Sequence, residues 1–218
     1  MIAPASCPAV ADIVFRDLAV DAEAFSACSE MLTITERRRA GRYRFPAERR
    51  RFIVGRALLR AELAGRIGVA PHALPIVEGP MGKPMLADPP QPGFSASRSG
   101  DLAAFAFARS PVGIDLVRVS DASFLPATAR EICTPREVAA LDRLAHADRA
   151  SILPILWARK EALLKATGEG LVRMPDWVEV WDGSDSVEAR VTHRGRVWSI
   201  TDVSAPDGHI AAVAQACD

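Results

Sequence analysis

Twice along these 218 residues the chain passes from helical spacing into short alternating apolar runs, and that order most constrains what it can fold into. Residues 13–18 read as an opening strand. Residues 21–31 have the spacing of a short helix, Thr35 is placed to cap another, and Pro46 starts a long one reaching about residue 67, with Phe52, Leu59 and Leu63 on one side. Between 71 and 113, apolar pieces at 73–77, 83–86, 93–97 and 102–108 are separated by Gly, Pro and Asp, which predicts a strand meander. A strand at 111–119 precedes helical spacing at 120–132, 135–144 and 151–167, and strand-like pieces follow at 177–181, 187–191, 197–203 and 209–214. The prediction is an α+β chain of two similar lobes, residues 1–110 and 111–218, each with helices packed on a small antiparallel sheet. No repeat of individual residues accompanies the repeated order.

Composition narrows the class. With 49% hydrophobic and 25% charged residues the chain can build a core, and its formal charge of zero argues against a surface devoted to nucleic acid. The N-terminus lacks a basic, apolar signal pattern, and no run of about 18 apolar residues occurs, so the expectation is a cytoplasmic protein without a membrane span. Cys7, Cys28, Cys133 and Cys217 are far apart and carry no zinc-ligand spacing, so reduced thiols are expected.

Of 27 basic residues only Lys83, Lys160 and Lys165 are lysines, and two of them flank a glutamate in Trp157-Ala-Arg-Lys160-Glu161-Ala-Leu-Leu-Lys165-Ala-Thr-Gly168-Glu-Gly170-Leu171. Lysine is a compact donor with a tunable pKa, whereas arginine is a permanent fork for oxyanions, so an ammonium kept in an arginine-rich chain calls for chemistry. Trp157, Glu161 and Lys165 fall on one helical face at i, i+4, i+8. Taken alone, Glu161 and Lys165 could equally be an exposed ion pair. If Asp115, in Gly113-Ile-Asp115, faces Glu161, the two carboxylates offer oxygens suited to Mg²⁺ beside a phosphate ligand. Arg37, Arg38, Arg39, Arg42, Arg44, Arg49, Arg50 and Arg51 crowd two successive helices. They form either a solvated face or a phosphate clamp, to which Ser95, Ser97, Arg98 and Ser99 add hydroxyls and another fork.

Gly82-Lys83-Pro84, Phe94-Ser-Ala-Ser97, Val112-Gly-Ile-Asp115 and the long Trp157–Leu171 motif occur in the order and spacing of surfactin-type 4′-phosphopantetheinyl transferases, which the chain resembles from about residue 35 to 171. The segments around Glu36-Arg37-Arg-Arg-Ala-Gly-Arg42 and Arg51-Phe52-Ile-Val-Gly55-Arg56 look like that family too. The resemblance implies a pseudo-dimeric α+β fold binding coenzyme A between its lobes. It implies transfer of phosphopantetheine to a serine of an acyl or peptidyl carrier protein, with release of adenosine 3′,5′-bisphosphate. Asp115 and Glu161 then resemble the Mg²⁺ ligands, Glu161 the acceptor of the serine proton, and Lys165 the group on the leaving phosphate. Arg51, Lys83 with Pro84, and Ser97 match positions that hold the nucleotide and its phosphates, Arg39 does so more loosely, and Lys160 looks like a phosphate contact. With both lobes in one chain, a monomer suffices.

Two positions depart from the family pattern. A second acid usually stands where this chain has Val117, and a histidine where it has Arg98; valine cannot bind a cation and arginine cannot exchange a proton near neutral pH. A relative that binds coenzyme A or a carrier without transferring anything is therefore the competing reading. Which carrier is used is not encoded in periodicity; the surface around residues 124–136 is the expected contact.

Overall fold

The computed structural model describes residues 11–79, 81–87, 93–122 and 125–217. It is an α+β structure of two lobes on one plan, each with a 22-residue helix packed on an antiparallel sheet. In the first lobe, β1 (Asp12–Asp17) leads to α1 (Ala22–Met31), α2 (Ile34–Ala40) and α3 (Pro46–Ile67), then the hairpin β2 (Ile76–Glu78) and β3 (Pro84–Leu86), then β4 (Gly93–Ser99) and β5 (Leu102–Ala108). β5 lies between β1 and β4, antiparallel to both. α3 opens on Pro46, whose missing N–H is no loss in a first turn, and ends at Gly68, where φ of 79° gives the left-handed cap. Its Phe52, Leu59 and Leu63 are buried against Phe94 and Phe105 of the sheet.

The second lobe holds β6 (Val112–Arg118), α4 (Leu125–Ile132), α5 (Pro135–Leu141), α6 (His146–Thr167), β7 (Glu188–His193), β8 (Arg196–Val203) and β9 (His209–Ala216), with sheet order β6-β9-β8-β7. α6 buries Leu153, Leu156 and Leu163 against Trp198 and Ile200. A third apolar cluster joins the lobes, with Ala104 and Ala106 of β5 against Val112, Ile114 and Leu116 of β6. β6 is an edge strand, so its outward N–H groups need acceptors from elsewhere. Alternate serines of β4 supply them: the Oγ atoms of Ser95, Ser97 and Ser99 accept from the N–H of Ile114, Leu116 and Arg118 at 3.1, 3.2 and 2.9 Å.

Several sequence expectations change. α2 is capped by Thr33, not Thr35; Thr33 Oγ1 accepts from the Glu36 N–H while the Glu36 carboxylate accepts from the Thr33 N–H. α6 starts at His146 rather than 151, with Pro154 buried in its interior. Residues 177–181 form no strand. Their backbone bonds to side chains instead, Val180 N–H donating to Glu137 and the Val178 carbonyl accepting from Lys160. Cys28 and Cys133 are free but Cys217 is disulfide-bonded, so the expectation of four reduced thiols fails there; separation along a chain does not report separation in space. No helix among the described residues is long and apolar enough to cross a membrane.

The repeat that the sequence did not show exists in the buried charges. Thr33-x-x-Glu36 and Thr134-x-x-Glu137 are both capping boxes. Glu36 then pairs with Arg60 of α3 at 2.8 Å, and Glu137 with Lys160 of α6 at 2.7 Å. Lys160 and Glu137 are each 0% exposed, and Lys160 Nζ also donates to the carbonyls of Pro175 and Val178. Lys160 thus does the work of Arg60 in its own lobe and faces the core, which corrects its expected place as a phosphate contact. Removing one partner of such a pair strands the other, so Lys160→Met is expected to cost about 3 kcal/mol. The fraction that stays folded should keep its specific activity; thermal melts and activity per folded molecule check both halves of this expectation.

Candidate active site

The catalytic geometry starts from a missing side chain. A Cβ on Gly113 would lie 2.0 Å from the Ala162 carbonyl oxygen and 2.3 Å from the Ala166 nitrogen, so α6 rests directly on the backbone of β6. The close seat brings Lys165 Nζ to 2.5 Å from Asp115 Oδ1 and 2.9 Å from Ser97 Oγ. Ser97 Oγ in turn donates to Asp115 Oδ1 at 2.9 Å while accepting from the Leu116 N–H. Both lobes therefore fix the Asp115 carboxylate, which is 6% exposed.

Glu161 stands one turn before Lys165 and makes no ion pair with it; Lys165 has turned to Asp115 instead. Glu161 Oε1 is buried and has no hydrogen-bond partner. Burial, and then the neighbouring charge of Asp115, push the Glu161 carboxyl above its usual range, with Lys165 opposing. An unpartnered carboxylate oxygen in the field of a second carboxylate is a fitting ligand for a hard cation, so Asp115 and Glu161 are the residues that would hold Mg²⁺. Val117 lines the same cavity without contributing an oxygen.

Two cavities flank this pair. One, of about 550 Å³, is walled by Ser97, Arg98, Asp115, Arg118, Trp157 and Leu171; the other, of about 270 Å³, by Met81, Lys83, Pro84, Ser95, Leu164 and Leu171, and both reach Glu161 and Lys165. Lys83 Nζ donates to the carbonyls of Lys165 and Val112 at 2.6 and 3.0 Å, tying the β2–β3 hairpin to the second lobe. Burial, then the charge of Lys165, lower its pKa to about 8. Arg98 reaches Glu48 at 3.1 Å, and Arg51 holds Glu48 and Asp101, each at 2.7 Å, so these guanidiniums are pre-ordered by carboxylates at the rim.

The structure thus brings Asp115, Glu161, Lys165, Ser97, Arg98, Lys83 and Pro84 together around the two cavities. Arg51 stands one ion pair behind Arg98, through Glu48. Arg39 is not among the wall residues of either cavity; it contacts Glu78 and lies 5.4 Å over the Phe52 ring. Sequence reasoning passed over Arg118, which stands three residues after Asp115 at the end of β6, an odd spacing that strand alternation does not place on the same face, and over the alternating serines 95, 97 and 99 as a fastener between lobes.

Comparison with known proteins covers residues 20–214 with two models of one kind. Residues 111–214 match the family described as "4′-phosphopantetheinyl transferase superfamily", and residues 20–110 match "4′-phosphopantetheinyl transferase, N-terminal". The chain is 35% identical over 190 residues to the 4′-phosphopantetheinyl transferase HetI of a Nostoc species, covering 85% of this chain and 78% of that protein. It is 32% identical over 152 residues to the phosphopantetheinyl transferase of a Thraustochytrium species, covering 62% and 52%. To the 4′-phosphopantetheinyl transferase Sfp of Bacillus subtilis it is 23% identical over 183 residues, covering 83% and 81%.

Proposed function

The chain belongs to the 4′-phosphopantetheinyl transferase superfamily and is an enzyme of that class, and we propose that it works in the surfactin-type manner on a carrier protein, with Mg²⁺. In this reading coenzyme A supplies 4′-phosphopantetheine to a serine of an apo acyl or peptidyl carrier protein in the cytoplasm, and adenosine 3′,5′-bisphosphate leaves. Residues 1–110 act mainly as the clamp for nucleotide and phosphates, residues 111–218 carry the reacting groups, and a monomer is complete. The observation that carries the reading is the buried, unpartnered Glu161 oxygen beside the Asp115–Lys165–Ser97 cluster.

Mg²⁺, when bound by Asp115 and Glu161, supplies charge neutralisation for the diphosphate. Glu161, whose Oε1 has no other partner and whose carboxyl is held above its usual range by burial and then by Asp115, is the base suited to take the serine proton. The serine oxygen bonds to the pantetheine-bearing phosphorus as the bond from that phosphorus to the oxygen of the departing bisphosphate breaks. Lys165, already oriented by Asp115 and Ser97, donates to the departing phosphate. Ser97 and Arg98 orient the diphosphate from the β4 side, and Lys83 with Pro84 borders the second cavity, where the nucleotide lies. Such a centre needs positioning and charge stabilisation more than covalent help.

Carrier choice is expected to rest on the surface around residues 124–136, of which residue 124 lies outside the described residues. The test is incubation with coenzyme A, Mg²⁺ and a panel of apo carriers, read by intact mass. At least one carrier should gain a phosphopantetheine group, and Val117→Glu should lower the Mg²⁺ concentration needed. No gain on any carrier, with coenzyme A still bound, would sink the reading.

A further inference from the structure

Beyond α6 the chain has to cross from the second lobe toward the β2–β3 hairpin. It leaves the helix through Gly168, φ 76°, and at Gly170, φ 64°, it lies so close to the first lobe that a Cβ there would stand 2.9 Å from Met81 Cβ. Leu171 follows and is a wall of both cavities. The segment's own backbone closes a tight turn, Val172 N–H to Gly170 O at 3.1 Å, which does not tie it to the sheet. Something else must hold it in place.

Glu169 does so. Its Oε1 accepts from His193 Nε2 at 2.6 Å and pairs with Arg194 Nε at 3.0 Å, with the Glu169 side chain only 17% exposed. Both partners come from the β7–β8 hairpin, His193 ending β7 and Arg194 following it. The Trp177 ring packs on His193 with centroids 4.9 Å apart, and Arg173 covers Trp177 at 5.1 Å, so the imidazole has one place to be. Arg194 has φ of 51°, and it is the one described residue other than glycine with a positive φ. A two-residue hairpin turn accommodates glycine or asparagine there with less strain, so the arginine is retained against the preference of the backbone. An observed outlier of this kind is where function is sought.

We propose that Glu169 is a positioning residue: clamped by His193 and Arg194, it fixes residues 168–171, in which Gly168 and Gly170 wall the smaller cavity and Leu171 walls both beside Glu161 and Lys165, and thereby sets the affinity for coenzyme A. The inference rests on the transferase reading above. Glu169 touches no reacting atom; it acts through Gly170 and Leu171. A loosened wall weakens binding in both cavities while the Glu161, Lys165 and Asp115 cluster, built on α6 and β6, stays assembled.

The test compares wild type with Glu169→Ala, Glu169→Gln and Arg194→Gly by calorimetric titration with coenzyme A, hydrogen exchange over residues 168–172, and steady-state kinetics. Glu169→Ala should weaken coenzyme A about tenfold, raise KM with kcat nearly unchanged, and speed exchange in the segment. Glu169→Gln should recover most of the affinity, because its amide oxygen accepts from the same donors. Arg194→Gly should melt no lower than wild type and yet exchange faster, a combination that a purely structural turn residue would not give. Unchanged affinity and exchange in Glu169→Ala, a glutamine variant as weak as the alanine one, or a fall in kcat at constant KM overturns the inference. Failure of the wild type to bind coenzyme A overturns the transferase reading itself, and with it this consequence of the clamp.

Discussion

Glu161→Gln is expected to reduce kcat by about 10² to 10⁴, the range that a positioned general base supplies, without lowering the melting temperature. The two halves of this result follow from one observation. Burial and Asp115 raise the Glu161 pKa, so the folded protein holds that proton to a higher pH than the unfolded chain does. Stability then falls as pH rises from the ordinary carboxylate value through the raised one, so above that window the buried carboxyl works against the fold. Glutamine removes that charge at nearly the same volume. In Mg²⁺-free buffer the variant should therefore melt at or above the wild-type temperature at pH 7, and the difference should vanish once the pH drops below the ordinary carboxylate value of 4.5, where both states are protonated. Full activity in Glu161→Gln would remove Glu161 from the reaction. A melting temperature several degrees lower would show instead that its carboxylate supports the fold.

How much of this was legible in the sequence depends on whether a signal was local. Strand alternation and helix punctuation were local, so β4, β5, β6, α3 and the last turns of α6 emerged close to their true extents. The i, i+4 spacing placed Glu161 and Lys165 on one face correctly, yet it could not tell which carboxylate Lys165 would choose; that depends on how closely β6 approaches, which only packing decides. Lys160 was misplaced for the related reason that a rare ammonium draws attention to chemistry, while its partner Glu137 lies in another helix. Two Thr-x-x-Glu boxes, at 33–36 and 134–137, were visible and would have exposed both the repeat and the structural role of Lys160, had each glutamate been followed to a base on the next long helix. The stretch 177–181 alternates as a strand should, but its backbone groups are claimed by buried charged side chains, and no periodicity reports that.

Gly113→Ala should be the most damaging single methyl in the molecule. Added carbon in a well-packed core typically costs 1–3 kcal/mol when side chains can shift, but here the obstacles are the Ala162 carbonyl at 2.0 Å and the Ala166 nitrogen at 2.3 Å, both helix backbone. They move only if α6 moves as a unit, and α6 is packed on β6, β8 and β9 through the core of its lobe. The expected loss is about 4 kcal/mol, a fall in melting temperature on the order of 10 °C for a chain of this size. Gly65→Ala is the matched control: it lies within α3 with nothing inside 4 Å of its Cβ, and alanine there should stabilise by up to about 1 kcal/mol. Activity should separate the two as well. Lifting α6 off β6 by even part of an ångström lengthens the 2.5 Å contact from Lys165 to Asp115 and the 2.9 Å contact to Ser97, so the folded remainder of Gly113→Ala should lose most of its transfer rate while Gly65→Ala keeps its own. Equal melting temperatures for the two variants would mean that the helix does not sit on the strand as described, and the convergence of Asp115, Glu161 and Lys165 would lose its cause.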